Sequence, residues 1–166
     1  REAASHYEHE ELGYNYRTAE IQSALGLVQL RRLERNNKKR RRLVEIYREE
    51  LLEAPGILIP FLRFQGDYSC HLFPILIEGD QGAPPCDRRD RLRQALKTVG
   101  IHPSVHYTQV HLFYLYRDRF GYKRGMLPLT ESVSEQVVTL PLHPGMKGAD
   151  ARWIGRKVRE TVRRWS

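Results

Sequence analysis

One long amphipathic pattern dominates the first part of the chain. Apolar residues recur every three or four positions over Ile21–Leu51, the spacing that places side chains on one face of an α-helix. We expect this helix to begin near Thr18, whose hydroxyl can cap the free amides of the first turn. Pro55-Gly56 then stops it. Because the stretch around Asn36-Asn37 is polar on all sides, the pattern predicts a connecting helix over residues 18–54 that joins two packed bodies.

Beyond the long helix, short apolar runs alternate with segments of helical spacing. The predicted strands cover residues 57–61, 71–77 and 101–107. Three helices are predicted here: one capped by Asp87 or Asp90, one over residues 129–138, and one that begins near Asp150. The segment 110–120 is predicted to be helical or irregular. The pattern indicates an α/β or α+β domain over residues 55–166, with helices packed on a small sheet.

Charge and composition narrow the range of functions. The 166 residues are 40% apolar with a net charge of +8, and no apolar run approaches the roughly 20 residues that span a bilayer. The excess cations lie in Lys38–Arg42 and Arg152–Arg164, both of helical pattern, so we expect solvated helix faces. A basic module for nucleic acid or a protein partner stays an alternative. It lacks an aromatic or groove-reading motif, so we expect no nucleic-acid partner. The absence of a spanning apolar run leads us to expect no membrane association.

The cysteines and the histidines favour neither a disulfide nor a metal site. Cys70 and Cys86 stand alone, without CxxC or Cys/His spacing, which predicts free thiols and a cytoplasmic location. His102, His106 and His111 are spaced by four and five residues, which suits no common zinc pattern, so we expect no metal. The chain starts at an arginine and shows no secretory signal, so we expect a piece of a longer polypeptide.

The stretch LGYNYRTAEIQSALGLVQL, residues 12–30, offers the first candidate chemistry. Gly13 permits a tight turn, and Asn15 and Arg17 stand immediately before the predicted helix N-terminus. Unpaired amides and the helix dipole attract anions to such a place. The alternative is structural: Asn15 makes a turn and Arg17 lies in solvent. Residues alone leave both interpretations open.

Two later stretches complete a resemblance. They are GIHPSVHYTQVH at residues 100–111 and LPLHPG at residues 140–145, and with the run at 12–30 they cover nearly the whole chain in order. Together the three resemble the C-terminal part of the DegT/DnrJ-type nucleotide-sugar aminotransferases, which depend on pyridoxal phosphate. The resemblance implies the C-terminal domain of a fold type I transferase that works as a homodimer.

The resemblance also implies roles for individual residues. Asn15, in the interface segment 1–17, would reach the cofactor phosphate of the neighbouring subunit, and Arg17 would contact phosphate or substrate. His106, Tyr107 and His111 would border the sugar, although packing in the core or a loop is their alternative role. The implied reaction moves an amino group from glutamate to the keto-sugar of a nucleoside diphosphate. Some relatives in the family dehydrate the keto-sugar instead.

A lysine that binds the cofactor must lie in a partly desolvated pocket. None of the lysines in the sequence lies in a stretch that predicts such a pocket. The six lysines lie among other cations, on exposed helix positions or in loops: Lys38, Lys39, Lys97, Lys123, Lys147 and Lys157. In the family the reactive lysine lies in the large domain, upstream of the GYNYR run. We therefore expect no catalytic residue in this chain and no activity from the chain alone.

Overall fold

The computed structural model describes residues 11–64, 66, 68–79 and 84–165. The chain divides into two compact units, Arg1–Glu34 and Arg35–Ser166. The strands, the later helices and the buried core all belong to the second unit. The sequence-predicted segment 1–17 lies partly outside the described residues, and the predicted division at residues 17 and 54 stays a prediction.

The long helix α1 spans Glu20–Leu51. The predicted cap Thr18 is wrong, because the helix begins one residue later than a Thr18 cap requires. The Ala19 amide donates to Oε1 of Gln22 at 3.2 Å, so a side chain from the first turn satisfies this amide. In the N-terminal unit, α1 exposes its apolar side chains, including Ile21, Leu25 and Leu30.

The last turns of α1 build the core of the second unit. Leu43, Val44 and Leu51 are buried there. Tyr47 is fully buried, and its ring stacks on Phe73 with 4.9 Å between the ring centroids. The Tyr47 hydroxyl donates to the carbonyl of Pro141 at 2.7 Å. Burial, and to a lesser extent the nearby charge of Asp150, raises the pKa of Tyr47, so the phenol stays a neutral donor.

A three-stranded antiparallel sheet packs against α1, with the strand order β1-β2-β3. The strands are β1 at Ile57–Leu58, β2 at Phe73–Ile77 and β3 at Val137–Leu140. Ile57 pairs with Ile77, and Phe73 pairs with Leu140. The predicted strand 57–61 ends early because Pro60 carries no amide hydrogen and Phe61 has a φ of 56°.

The predicted strand over 101–107 is wrong. Only Ser104 pairs with the sheet, through two bonds with Thr139: its amide donates at 3.0 Å and its carbonyl accepts at 2.8 Å. Pro103 lacks an amide hydrogen, which removes one ladder donor next to this bridge. The segment is therefore attached to the sheet at one point and bends at His106, which leaves its later residues available for other contacts.

Four helices follow: α2 at Pro85–Thr98, α3 at Tyr114–Phe120, α4 at Pro128–Gln136 and α5 at Gly148–Arg163. A 3-10 turn over Val110–Leu112 precedes α3, so the predicted helical or irregular segment 110–120 is confirmed. The predicted caps of α2 are wrong, since Pro84 occupies the N-cap and Asp90 instead pairs with Arg89 and Arg93. These bonds, above all that from Arg89, hold the pKa of Asp90 below its usual value.

Helix α5 packs closely on α1 through glycine. Ile154, Val158 and Val162 are buried, as the periodicity predicts. A Cβ atom on Gly155 would lie 2.7 Å from Cβ of Glu50, so the two helices approach too closely for a side chain there. The predicted start near Asp150 is two residues late, because Asp150 already accepts the Lys147 amide at 2.7 Å from within the first turn.

The basic runs are not uniformly solvated, contrary to the expectation. Arg40 is half-buried and bonds Asn37 and the Ser69 carbonyl. Arg159 pairs with Glu50 at 3.2 Å. Among the described residues, no helix is long and apolar enough to cross a bilayer. Both cysteines are free of disulfides.

Candidate functional site

A cavity of about 610 Å³ opens on the second unit, between the segment after Ser104 and helix α4. It brings together three residues that the sequence singled out, His106, Tyr107 and His111. The remaining described lining residues are Thr108, Val110, Tyr116, Tyr122, Leu127, Leu129, Thr130, Val133, Ser134 and Val137. A mostly apolar and aromatic wall with a few polar groups is typical of small-molecule sites, which run to roughly 300–1,000 Å³.

The Tyr107 main chain is anchored to α4, while the residue itself stays accessible. The peptide bond between them is cis, and the two rings meet edge to face with centroids 4.9 Å apart. The Tyr107 carbonyl accepts a bond from the Ser134 hydroxyl of α4 at 2.9 Å. The Tyr107 side chain is 68% exposed. The arrangement presents a phenol to the cavity from an anchored main chain.

Helix α4 is itself tied to the rest of the domain. Arg89 of α2 donates to the Ser134 carbonyl at 2.8 Å. This carbonyl lies in the last turn of α4, where helix carbonyls lack a partner within the helix. Ser134 therefore connects α2, through its carbonyl, with the Tyr107 main chain, through its hydroxyl.

Glu131 is the polar centre of the wall and was not predicted from the sequence. Its carboxylate is buried and lies 3.0 Å from Nε2 of His111. Both of its oxygens accept from the Gly125 amide at 2.9 Å, and one accepts from the Leu127 amide at 3.3 Å. The Gly125 bond first, and the His111 bond after it, hold the pKa of Glu131 below its ordinary value of 4.5.

The ionisation of the Glu131 carboxyl determines which ring nitrogen of His111 carries the proton. Because the carboxylate is ionised and accepts only, Nε2 of His111 carries the proton of their hydrogen bond. His111 is 6% exposed, and its Nδ1 is also buried, without a hydrogen-bond partner among the described residues. The side chain thus forms part of the wall, and its predicted direct contact with a sugar stays a prediction.

Replacing Glu131 with glutamine should lower the free energy of unfolding of the domain at neutral pH. It should also reduce the change of that free energy between neutral and acidic pH. A carboxyl whose pKa is depressed in the folded state stabilises the fold above its unfolded pKa, and this stability is lost as the pH falls through the folded value. Urea denaturation at a series of pH values between neutral and acidic checks it. Glu49→Gln, which removes an exposed carboxyl on α1, is the control. Parallel pH profiles for wild type and Glu131→Gln would contradict the assignment.

Asn15 and Arg17 belong to the N-terminal unit. Oδ1 of Asn15 accepts the Arg17 amide at 3.0 Å, which is the turn that the structural alternative describes. Both side chains are exposed. The turn uses the oxygen of the Asn15 amide group and leaves its two N–H donors free of that bond, so the turn and an anion contact are compatible.

The prediction that none of the six lysines binds the cofactor stays a prediction. Five of them are exposed, and the sixth, Lys157, donates to Glu160 at 2.8 Å. Within the described part of the chain, no lysine lines the cavity at His106. The same residues place no three His, Cys, Asp or Glu together as a metal site. The sequence-predicted phosphate donors Asn15 and Arg17 lie in the other unit, and their role stays a prediction.

Comparison with known proteins identifies the family. The model of the DegT/DnrJ/EryC1/StrS aminotransferase family matches residues 1–159. The chain belongs to this family. Membership in the DegT/DnrJ/EryC1/StrS family, with the fold described above, confirms the resemblance drawn from the three sequence stretches.

The DegT/DnrJ/EryC1/StrS relatives are longer than this chain. EryC1 of Saccharopolyspora erythraea, an erythromycin biosynthesis sensory transduction protein, is 36% identical over 83% of the chain and 35% of its own length. PseC of Helicobacter pylori, an aminotransferase of pseudoaminic acid biosynthesis, is 27% identical with a TM-score of 0.82, covering 95% of this chain and 41% of PseC. DesV of S. venezuelae, solved with a ketimine intermediate, is 33% identical with a TM-score of 0.82, covering 95% and 40%. The chain thus spans about two fifths of these relatives and has the fold of part of a fold type I aminotransferase.

Proposed function

We propose that this chain is the C-terminal part of a pyridoxal-phosphate-dependent aminotransferase. The complete enzyme transfers an amino group, from glutamate, to the keto-sugar of a nucleoside diphosphate. The observation that carries the proposal is the cavity of about 610 Å³ in which His106, Tyr107 and His111 share one wall, within a sugar-aminotransferase family chain. The PseC aminotransferase of pseudoaminic acid biosynthesis supports a sugar as the substrate class.

The cavity residues bind and orient the sugar. The phenol of Tyr107 both donates and accepts, which suits a sugar hydroxyl. Tyr116 and Tyr122 offer ring faces against which the C–H surface of a sugar can pack. Leu127 and Val133 exclude water from the same side. Glu131 fixes the wall behind these groups through His111 and the Gly125 amide.

Asn15 and Arg17 serve the cofactor. Pyridoxal phosphate, when bound, supplies the electron sink for amino transfer, and the protein supplies binding and orientation. The free N–H donors of Asn15 bind the cofactor phosphate of the neighbouring subunit in a homodimer, and Arg17 adds a charged donor. The lysine that holds the cofactor lies outside this chain, so the chain alone carries out no transfer.

The test uses the full-length enzyme with pyridoxal phosphate, glutamate and a panel of nucleoside-diphosphate keto-sugars. We expect an amino-sugar product by mass spectrometry together with equimolar 2-oxoglutarate. Loss of water from the sugar without consumption of glutamate would replace the proposal with the dehydratase function. No turnover of any keto-sugar would reject the substrate class.

The role of Tyr107 has a matched control in the next segment. Tyr107→Phe should lower kcat/KM for the keto-sugar by about three- to tenfold, the effect of one neutral hydrogen bond. It should leave the affinity for pyridoxal phosphate unchanged. Tyr114→Phe removes the hydroxyl of a similarly exposed tyrosine that does not line the cavity, and should leave kcat/KM unchanged. Equal kinetics for both variants would remove Tyr107 from the sugar site.

A further inference from the structure

A second cavity, of about 590 Å³, lies between the middle of α1 and the first turns of α5. Four exposed cations line it: Lys39 and Arg42 from α1, and Arg152 and Arg156 from α5. Leu43, Ile46, Met146, Gly148 and Ala149 complete its described lining. We name it the basic cleft. It does not overlap the lining of the cavity at His106 and does not rest on the proposed function.

Helical spacing and close packing bring the four cations together. Lys39 and Arg42 are three residues apart, and Arg152 and Arg156 are four apart, so each pair shares one face of its helix. A Cβ atom on Gly148 would lie 3.0 Å from Cδ1 of Ile46, so the start of α5 approaches α1 closely. Two cationic faces therefore border the same cavity.

The charge of the basic cleft is not balanced within it. Among the described residues that line it, no side chain is acidic. Among the acids of these two helices, Glu50 pairs with Arg159 and Glu160 pairs with Lys157. Glu160 also has a Coulombic interaction with Arg156, and Glu49 on α1 is exposed. Asp150 accepts the Lys147 amide. Four like charges at one opening repel one another, and a multivalent anion relieves that repulsion.

We propose that the basic cleft binds a diphosphate group. Arginine presents a planar fork of donors that matches phosphate oxygens, and three of the four cations are arginines. A cavity of about 590 Å³ has room for a diphosphate together with a group attached to it. The described lining carries no aromatic side chain on which bases could stack, which disfavours single-stranded nucleic acid. The diphosphate can be free or part of a nucleoside diphosphate.

The test is calorimetric titration of the full-length protein with inorganic pyrophosphate at constant ionic strength. The double variant Arg152→Gln with Arg156→Gln should weaken binding by at least about tenfold, since each arginine contributes charged hydrogen bonds. The control Arg163→Gln with Arg164→Gln removes the same charge from exposed positions at the other end of the same helical segment. It should change the affinity less than twofold.

Equal affinities of the two double variants for pyrophosphate would overturn the proposal, because the effect would then follow net charge alone. Absence of saturable pyrophosphate binding to the wild type would overturn it as well. A second titration with uridine diphosphate distinguishes the sources. A higher affinity of the wild type for uridine diphosphate than for pyrophosphate, lost in Arg152→Gln/Arg156→Gln, assigns the basic cleft to a nucleotide. A loss confined to pyrophosphate assigns it to the free anion. Failure here leaves the keto-sugar assay unaffected.

Discussion

Replacing Tyr47 with alanine is expected to lower the free energy of unfolding of the second unit by about 3–5 kcal/mol, the range for removing a large buried aromatic side chain. Tyr47 is fully buried and stacks on Phe73 of the central strand β2. Its loss would leave a cavity where α1 meets the sheet, and would leave the Pro141 carbonyl without the Tyr47 hydroxyl. Hydrogen exchange of β2 and α5 in the full-length protein under rising urea measures the effect locally.

Tyr47→Phe separates packing from hydrogen bonding. This variant keeps the ring and removes the bond to Pro141, so the expected loss is about 0.5–1.5 kcal/mol. If Tyr47→Ala cost no more than Tyr47→Phe, the ring would not be an essential part of the core. The domain would then rest on other contacts than those described for α1 and β2.

Asn15→Ala in the full-length enzyme should weaken the binding of pyridoxal phosphate by about ten- to a hundredfold. Hydrogen bonds to charged groups contribute roughly 1.5–3 kcal/mol, and about 1.4 kcal/mol corresponds to one factor of ten. Since the Asn15 oxygen already accepts the Arg17 amide, the N–H donors are the groups that we expect to reach the phosphate. Titration of the apoenzyme with the cofactor, followed by absorbance, measures the change. Folding should be little affected, because Asn15 is exposed.

A mixed dimer tests whether the contact crosses the subunit interface. One subunit carries Asn15→Ala, and the other lacks the cofactor-binding lysine. The remaining site with a lysine then belongs to the Asn15→Ala chain but receives a normal asparagine from its partner. That site should recover wild-type affinity. If it binds the cofactor as weakly as the Asn15→Ala homodimer, the assignment of Asn15 across the interface is wrong.

Periodicity predicts the parts of this fold that rest on one face of a helix. The buried face of α5 at Ile154, Val158 and Val162 follows directly from spacing. Helix ends are decided by local contacts: the Gln22 side chain accepts the amide of Ala19, as the third residue of a helix does for its cap residue, so the cap position falls on Ala19 and not on Thr18. The lengths of the strands could not be predicted for a similar reason. A pattern of apolar residues does not show which backbone amides form hydrogen bonds with a neighbouring strand.

The residues of the candidate site could be predicted from the sequence where they lie together in one short motif. His106 and Tyr107 lie in one such stretch, and the structure places both at the cavity. Glu131 was not predictable, because its partner His111 lies 20 residues away and only tertiary packing brings the two together. From sequence alone, an acid at the start of α4 is adequately explained by the helix dipole. Its burial against three polar partners is information that the linear pattern does not contain.

The double anchoring of α4 constrains any redesign of the cavity for a different ligand. Glu131 and Ser134 are one helical turn apart and hold the wall, whereas Leu129, Thr130 and Val133 line the cavity and are exposed. A library of variants should randomise the second set and keep the first set unchanged. In a library that varies all five residues together, selection would mostly remove variants in which α4 is no longer held in place, whatever their preference for a ligand.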